Sequence, residues 1–126
     1  MKKLAHFEQK RAYALFCPVG RVSFVEVAEL MSRAVLCCRR KKIKKLLIDS
    51  TRLPEFHPPG MAERYNLAER IATDAKSLVK IAHVAGPEWV RSGKFYALVA
   101  KNRGLDAKNF RSEREALKWL LTPAGK

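Results

Sequence analysis

The chain has 126 residues, 48% of them hydrophobic, which suits one ordinary domain with a real core and argues against disorder. No run approaches the roughly 18 apolar residues of a membrane span, and the opening MKKLAHFEQK lacks the apolar stretch of a secretory signal, so a cytoplasmic protein without a transmembrane segment is expected. Lys and Arg number 26 against 12 Asp and Glu, a formal net charge of +14, and such a chain attracts polyanions: nucleic acid, an acidic protein face or anionic lipid.

Residues 12–17, AYALFC, carry loosely alternating aromatic and aliphatic side chains and read as a strand, with residues 5–9 as a short hairpin arm beside it. Pro18-Val19-Gly20 is a turn. Ser23-Phe24-Val25-Glu26 has the form of a capping box, with Val22 and Val27 placed as a hydrophobic staple across it. Apolar positions 24, 27, 28, 31, 34, 35 and 38 then mark one face of a helix that ends near Arg39 or Arg40. Leu46-Leu47-Ile48 is a continuous apolar run, as in a strand buried on both faces.

After Gly60 a second helix fits residues 61–76, with Met61, Tyr65, Ala68, Ile71, Ala72 and Ala75 on its apolar side. Residues 78–85 form the next strand, closed by Gly86-Pro87. Ser92 can cap a third helix through about Asn102, with Gly104 as its stop. Residues 107–110 are a short strand. Ser112-Glu113-Arg114-Glu115 is a second capping box, opening a final helix with Ala116, Leu117, Trp119, Leu120 and Leu121 on its apolar side, and residues 122–126 are a tail. Strand and helix alternate throughout. The expected fold is therefore α/β, a single domain with a mostly parallel sheet of four to five strands and about four helices packed on it.

The familiar chemical motifs do not occur. There is no GxxxxGK[ST], no GxGxxG and no GxSxG, and the three histidines and three cysteines have no metal-ligand spacing. No carboxylate pair stands out. No cofactor, no metal and no catalytic residue is expected. Cys17, Cys37 and Cys38 read as reduced thiols, Cys17 and Cys38 as small apolar core residues.

The stretch IDSTRLPEFHPPG, residues 48–60, carries the densest chemistry. In a parallel sheet, ligands bind beyond the carboxyl ends of the strands. Asp49, Ser50 and Thr51 stand at one such end, Gly86 at a second and Arg111 at a third, so a small ligand or lipid crevice can form among them. Alternatively, Asp49 simply accepts hydrogen bonds from loop backbone and anchors the turn. His57 is a titratable contact residue or a solvated one. Pro58 and Pro59 stiffen the approach to the helix at Gly60. His83 shares a face with Val79 and Ile81 and reads as a strand histidine with satisfied hydrogen bonds.

Six bases fall in one seven-residue run: Arg39, Arg40, Lys41, Lys42, Lys44 and Lys45. The run is a candidate polyanion patch. It also sits where cations complement a helix C-terminus, and Ile43 dips into the core. No aromatic residue interleaves with it, so any nucleic-acid contact would run through phosphates. Trp89, Phe95 and Tyr96 read as packing residues.

Two stretches carry a family resemblance. One is Val99-Ala100-Lys101-Asn102-Arg103-Gly104-Leu105 followed by Phe110-Arg111-Ser112-Glu113-Arg114-Glu115-Ala116-Leu117-Lys118-Trp119-Leu120. The other is the spacing from Asp49 to Gly60. Over residues 12–121 the chain resembles the STAS-like domains, the fold of bacterial anti-sigma-factor antagonists, and within them a small bacterial branch. In that family a buried strand ends in an aspartate, matched by Asp49. A loop then leads to an Asp-Ser-Ser-Gly motif whose serine is phosphorylated to release a partner. Here His57-Pro58-Pro59-Gly60 occupies the motif, so the phosphoacceptor is missing.

The resemblance implies a non-enzymatic, protein-binding module. Its contact surface would be residues 53–60 with Met61 and Arg64, and its partner another protein; a homodimer is a separate expectation that the resemblance does not supply. A basic nucleic-acid-binding module and a small-ligand or lipid-binding domain are the alternatives.

Overall fold

In the computed structural model, residues 5–20, 23–53, 60–76, 78–86 and 106–122 are described. They form five strands and three helices in the order β1 (Phe7–Gln9), β2 (Ala14–Phe16), α1 (Phe24–Arg40), β3 (Lys45–Asp49), α2 (Met61–Ala75), β4 (Lys80–Val84), β5 (Ala107–Phe110) and α3 (Glu113–Leu121). The helix predicted near residues 92–102, with its caps Ser92 and Gly104, lies outside the described residues, as do Trp89, Phe95 and Tyr96.

The strands make one sheet in chain order. β1 is antiparallel to β2, with Phe7 opposite Phe16, which is the predicted hairpin arm. β2, β3, β4 and β5 are all parallel, so their carboxyl ends share one edge and their amino ends the other. The α/β class and the mostly parallel sheet follow from the alternation of strand and helix.

Strand alternation sorts the side chains into two cores. Ala14, Phe16, Leu46, Ile48 and Ile81 face the layer of α1 and α2. Leu47, Ala82, Val84 and Phe110 face α3, where they meet Ala116 and Leu120. β3 is thus buried on both faces, which is why its sequence is a continuous apolar run rather than an alternating one. Burying each of Leu46 and Leu47 contributes roughly 1.5–3 kcal/mol.

α1 starts where the sequence says it should. Ser23 Oγ accepts from the Glu26 amide at 3.2 Å, and Glu26 Oε1 accepts from the Ser23 amide at 3.1 Å. Its buried stripe is Val27, Ala28, Met31, Ala34, Val35 and Cys38, a three-four spacing that one helical face requires. The proposed staple partner Val22 lies outside the described residues.

α2 departs from expectation in one respect. Leu67 is buried and Tyr65 only half-buried, so the apolar face is centred on Leu67, Ile71 and Ala75, four residues apart. α3 is capped by Ser112, whose Oγ accepts from the Glu115 amide at 3.2 Å. Leu121, placed on the apolar side from sequence, is exposed, and the buried residues of α3 are Ala116 and Leu120.

Candidate functional site

The carboxyl edge of the sheet brings Asp49, Ser50, His83, Asn109 and Arg111 to the ends of three adjacent strands, since Ile48 pairs with His83 and His83 with Asn109. Asp49 turns the chain there. Its Oδ1 accepts from the Thr51 amide at 2.9 Å and from Thr51 Oγ1 at 2.6 Å. The Ser50 amide donates to the Val84 carbonyl and the Leu53 amide to the Ser50 carbonyl. Asp49 therefore acts as the turn anchor, one of the two roles its position allowed.

At the other end of the connection, Glu63 Oε1 accepts from the Gly60 amide at 2.9 Å, which fixes the first turn of α2. Gly60 is the helix cap and Met61 the first helical residue. His57, Pro58 and Pro59 lie outside the described residues, as do the side chains of Met61 and Arg64. Arg111 is exposed, one residue beyond β5, and Gly86 is exposed beyond β4 with open space where a side chain would be.

One constellation escaped the sequence. His83 is only 8% exposed. Its Nε2 lies 2.8 Å from Ser50 Oγ and its Nδ1 3.2 Å from Asn109 Oδ1. With the Asn109 oxygen facing the ring, Nδ1 carries the proton and Nε2 accepts from the serine hydroxyl. Burial, the largest influence, pulls the imidazole down to about 4, against opposing effects of Asn109 and Asp49.

Hydroxyl, imidazole and amide stand in the order of a hydrolytic triad. Two described features bear on that use. The imidazole is a weak base at neutral pH. The described void beside it, lined by Met31, Ile48, Leu67, Ile71 and Ile81 together with His83 and Asn109, holds about one water molecule. The three residues tie β3, β4 and β5 together.

The opposite edge is basic. α1 ends in Arg39 and Arg40, and Lys41–Lys44 lead into β3. Arg40, Lys41, Lys42 and Lys44 are exposed and Lys45 half-buried. Arg39 is used within the fold: its Nη1 donates to the Asp74 carbonyl of α2 at 2.9 Å, while Asp74 Oδ2 accepts from Ser32 Oγ of α1. Ile43 is half-buried against the core, as expected.

Lys76 and Lys80 arrive at the same edge from α2 and β4. Lys80 Nζ donates to the carbonyls of Trp119 and Thr122 at 2.9 and 3.1 Å, closing the end of α3, and stands 4.3 Å from the centre of the Trp119 ring. Here cations crowd the negative ends of three helix dipoles.

Cys37 and Cys38 are buried, and burial drives the Cys38 thiol up to about 12. The Cys17 thiol is raised by burial and then by Asp49. Among the described residues no group of His, Cys, Asp and Glu is arranged to hold a metal ion, and no helix is long and apolar enough to cross a membrane. No protein-family model matches the chain, and no curated protein matches it in sequence.

Proposed function

We propose that the chain is a STAS-like regulatory module that binds a protein partner through the loop joining Asp49 to Gly60, with no catalysis of its own. The observation that carries this reading is that the loop is held at both ends: by Asp49 on the Thr51 amide and by Glu63 on the Gly60 amide. A segment with fixed ends loses less freedom when a partner orders it, so more of the contact energy appears as affinity. Pro58 and Pro59 add two fixed backbone angles. α2 begins at the residue after Gly60, the place the STAS resemblance assigns to the helix that follows the switch motif.

Prolines at the serine positions make this a contact that phosphorylation there cannot release. Affinity capture from cell extract at low and high salt tests the reading. A partner that survives high salt and is lost from His57→Ala or Arg64→Ala supports it. Capture that yields no such partner overturns it.

A further inference from the structure

We infer that the basic edge of the sheet is a docking surface for an anionic lipid membrane. The inference concerns the edge opposite the Asp49 loop and rests on no part of the reading above.

Charge is the first observation. Lys41, Lys42 and Lys44 between α1 and β3, and Lys76 between α2 and β4, are exposed at one edge, because parallel strands fed by successive helices return every connection to the same side. Each lysine near an anionic surface contributes about fivefold to partitioning.

Backbone geometry is the second. Lys42 has φ 61° and Lys76 φ 47°, both in the left-handed region. Just past a helix end this region is the ordinary place for glycine, and a side chain there is strained. The fold keeps a lysine at that point in two successive connections, although glycine would suit the backbone better. Strain retained at both points is accounted for by a use for the charge.

Apolar exposure is the third, and it selects the ligand. Leu78 is 60% exposed and sits between Lys76 and Lys80. Leu121 is 41% exposed on the last turn of α3, beside the carbonyls that hold Lys80. A phosphate backbone gives a leucine nothing to bury in. A membrane surface does, because the leucines enter the boundary between headgroups and acyl chains while the lysines meet the lipid phosphates. The combination favours a lipid surface over nucleic acid.

Co-sedimentation of the full chain with phosphatidylcholine vesicles, with and without phosphatidylglycerol, tests the inference. Glycerol phosphate as competitor separates a surface from a free phosphate, and a duplex oligonucleotide provides the nucleic-acid arm. Binding to the phosphatidylglycerol vesicles is expected to exceed that to phosphatidylcholine alone by at least about tenfold at low salt, to weaken at high salt, and to resist glycerol phosphate. Lys42→Gly with Lys76→Gly should lower it by about twentyfold, with the fold verified by circular dichroism. Leu78→Ser with Leu121→Ser should weaken vesicle binding and leave duplex binding unchanged. Equal binding to both vesicle types, undiminished binding by the leucine variant, or a duplex bound more tightly than the vesicles would each overturn it.

Discussion

Ser50 Oγ stands 2.8 Å from His83 Nε2, and through that contact the end of β3 is tied to the interior of β4. The imidazole is nearly enclosed and neutral, which makes the fold sensitive to acid. The unfolded chain takes up a proton near pH 6.5, whereas the folded chain resists it until about 4. Between those values the unfolded state holds more protons, so stability rises with pH. This contribution is whole above pH 6.5 and declines by about 1.4 kcal/mol for each unit of acidification toward pH 4. Urea unfolding at pH 7 and pH 5 measures it. The His83→Gln variant should lose this share of the dependence.

Leu46 and Leu47 are neighbours in sequence but belong to different cores, one under α1 and α2 and the other under α3. Both are fully buried. Leu46→Ala and Leu47→Ala should each destabilise by about 2–5 kcal/mol in chemical denaturation. If one face of β3 were solvated, one of the two substitutions would be nearly silent.

Lys42 and Lys76 should behave in the opposite way to core residues. Glycine at either position relieves the left-handed backbone while adding freedom to the unfolded chain. The first effect exceeds the second, so Lys42→Gly and Lys76→Gly should each stabilise by about 0.5–1 kcal/mol. A thermal melt of each single variant reads the sign directly.

Asp49 holds the turn through one backbone amide and one hydroxyl. Asp49→Ala should cost about 1–2 kcal/mol, the scale for losing hydrogen bonds to a charged acceptor. Hydrogen exchange should quicken at the Thr51 amide. Unchanged protection there would mean that the turn is held by other contacts.

Much of the architecture was legible because it rests on local rules. The capping serines Ser23 and Ser112, the apolar run 46–48 and the strand 107–110 each satisfy a requirement met within a few neighbours. What was not legible depends on register. Ser50 and Asn109 lie 33 and 26 residues from His83, and only the parallel alignment of β3, β4 and β5 brings them together. Leu67 falls outside the expected face of Met61, Tyr65, Ala68, Ile71, Ala72 and Ala75, although it stands one turn before Ile71 and is buried with it. The left-handed lysines gave no signal because lysine is not a residue that marks such a conformation. The basic run itself was plain in sequence, but its convergence with Lys76 and Lys80 needed the sheet.

On the proposed function, the segment between Asp49 and Gly60 is where another protein makes contact. The most direct measurement places a photoactivatable cross-linking amino acid at position 57 in living cells, with a control at Thr73, exposed on α2 away from the loop. A discrete cross-linked protein adduct is expected from position 57 and none from position 73. Adducts equal at both positions, or none from position 57, would contradict it.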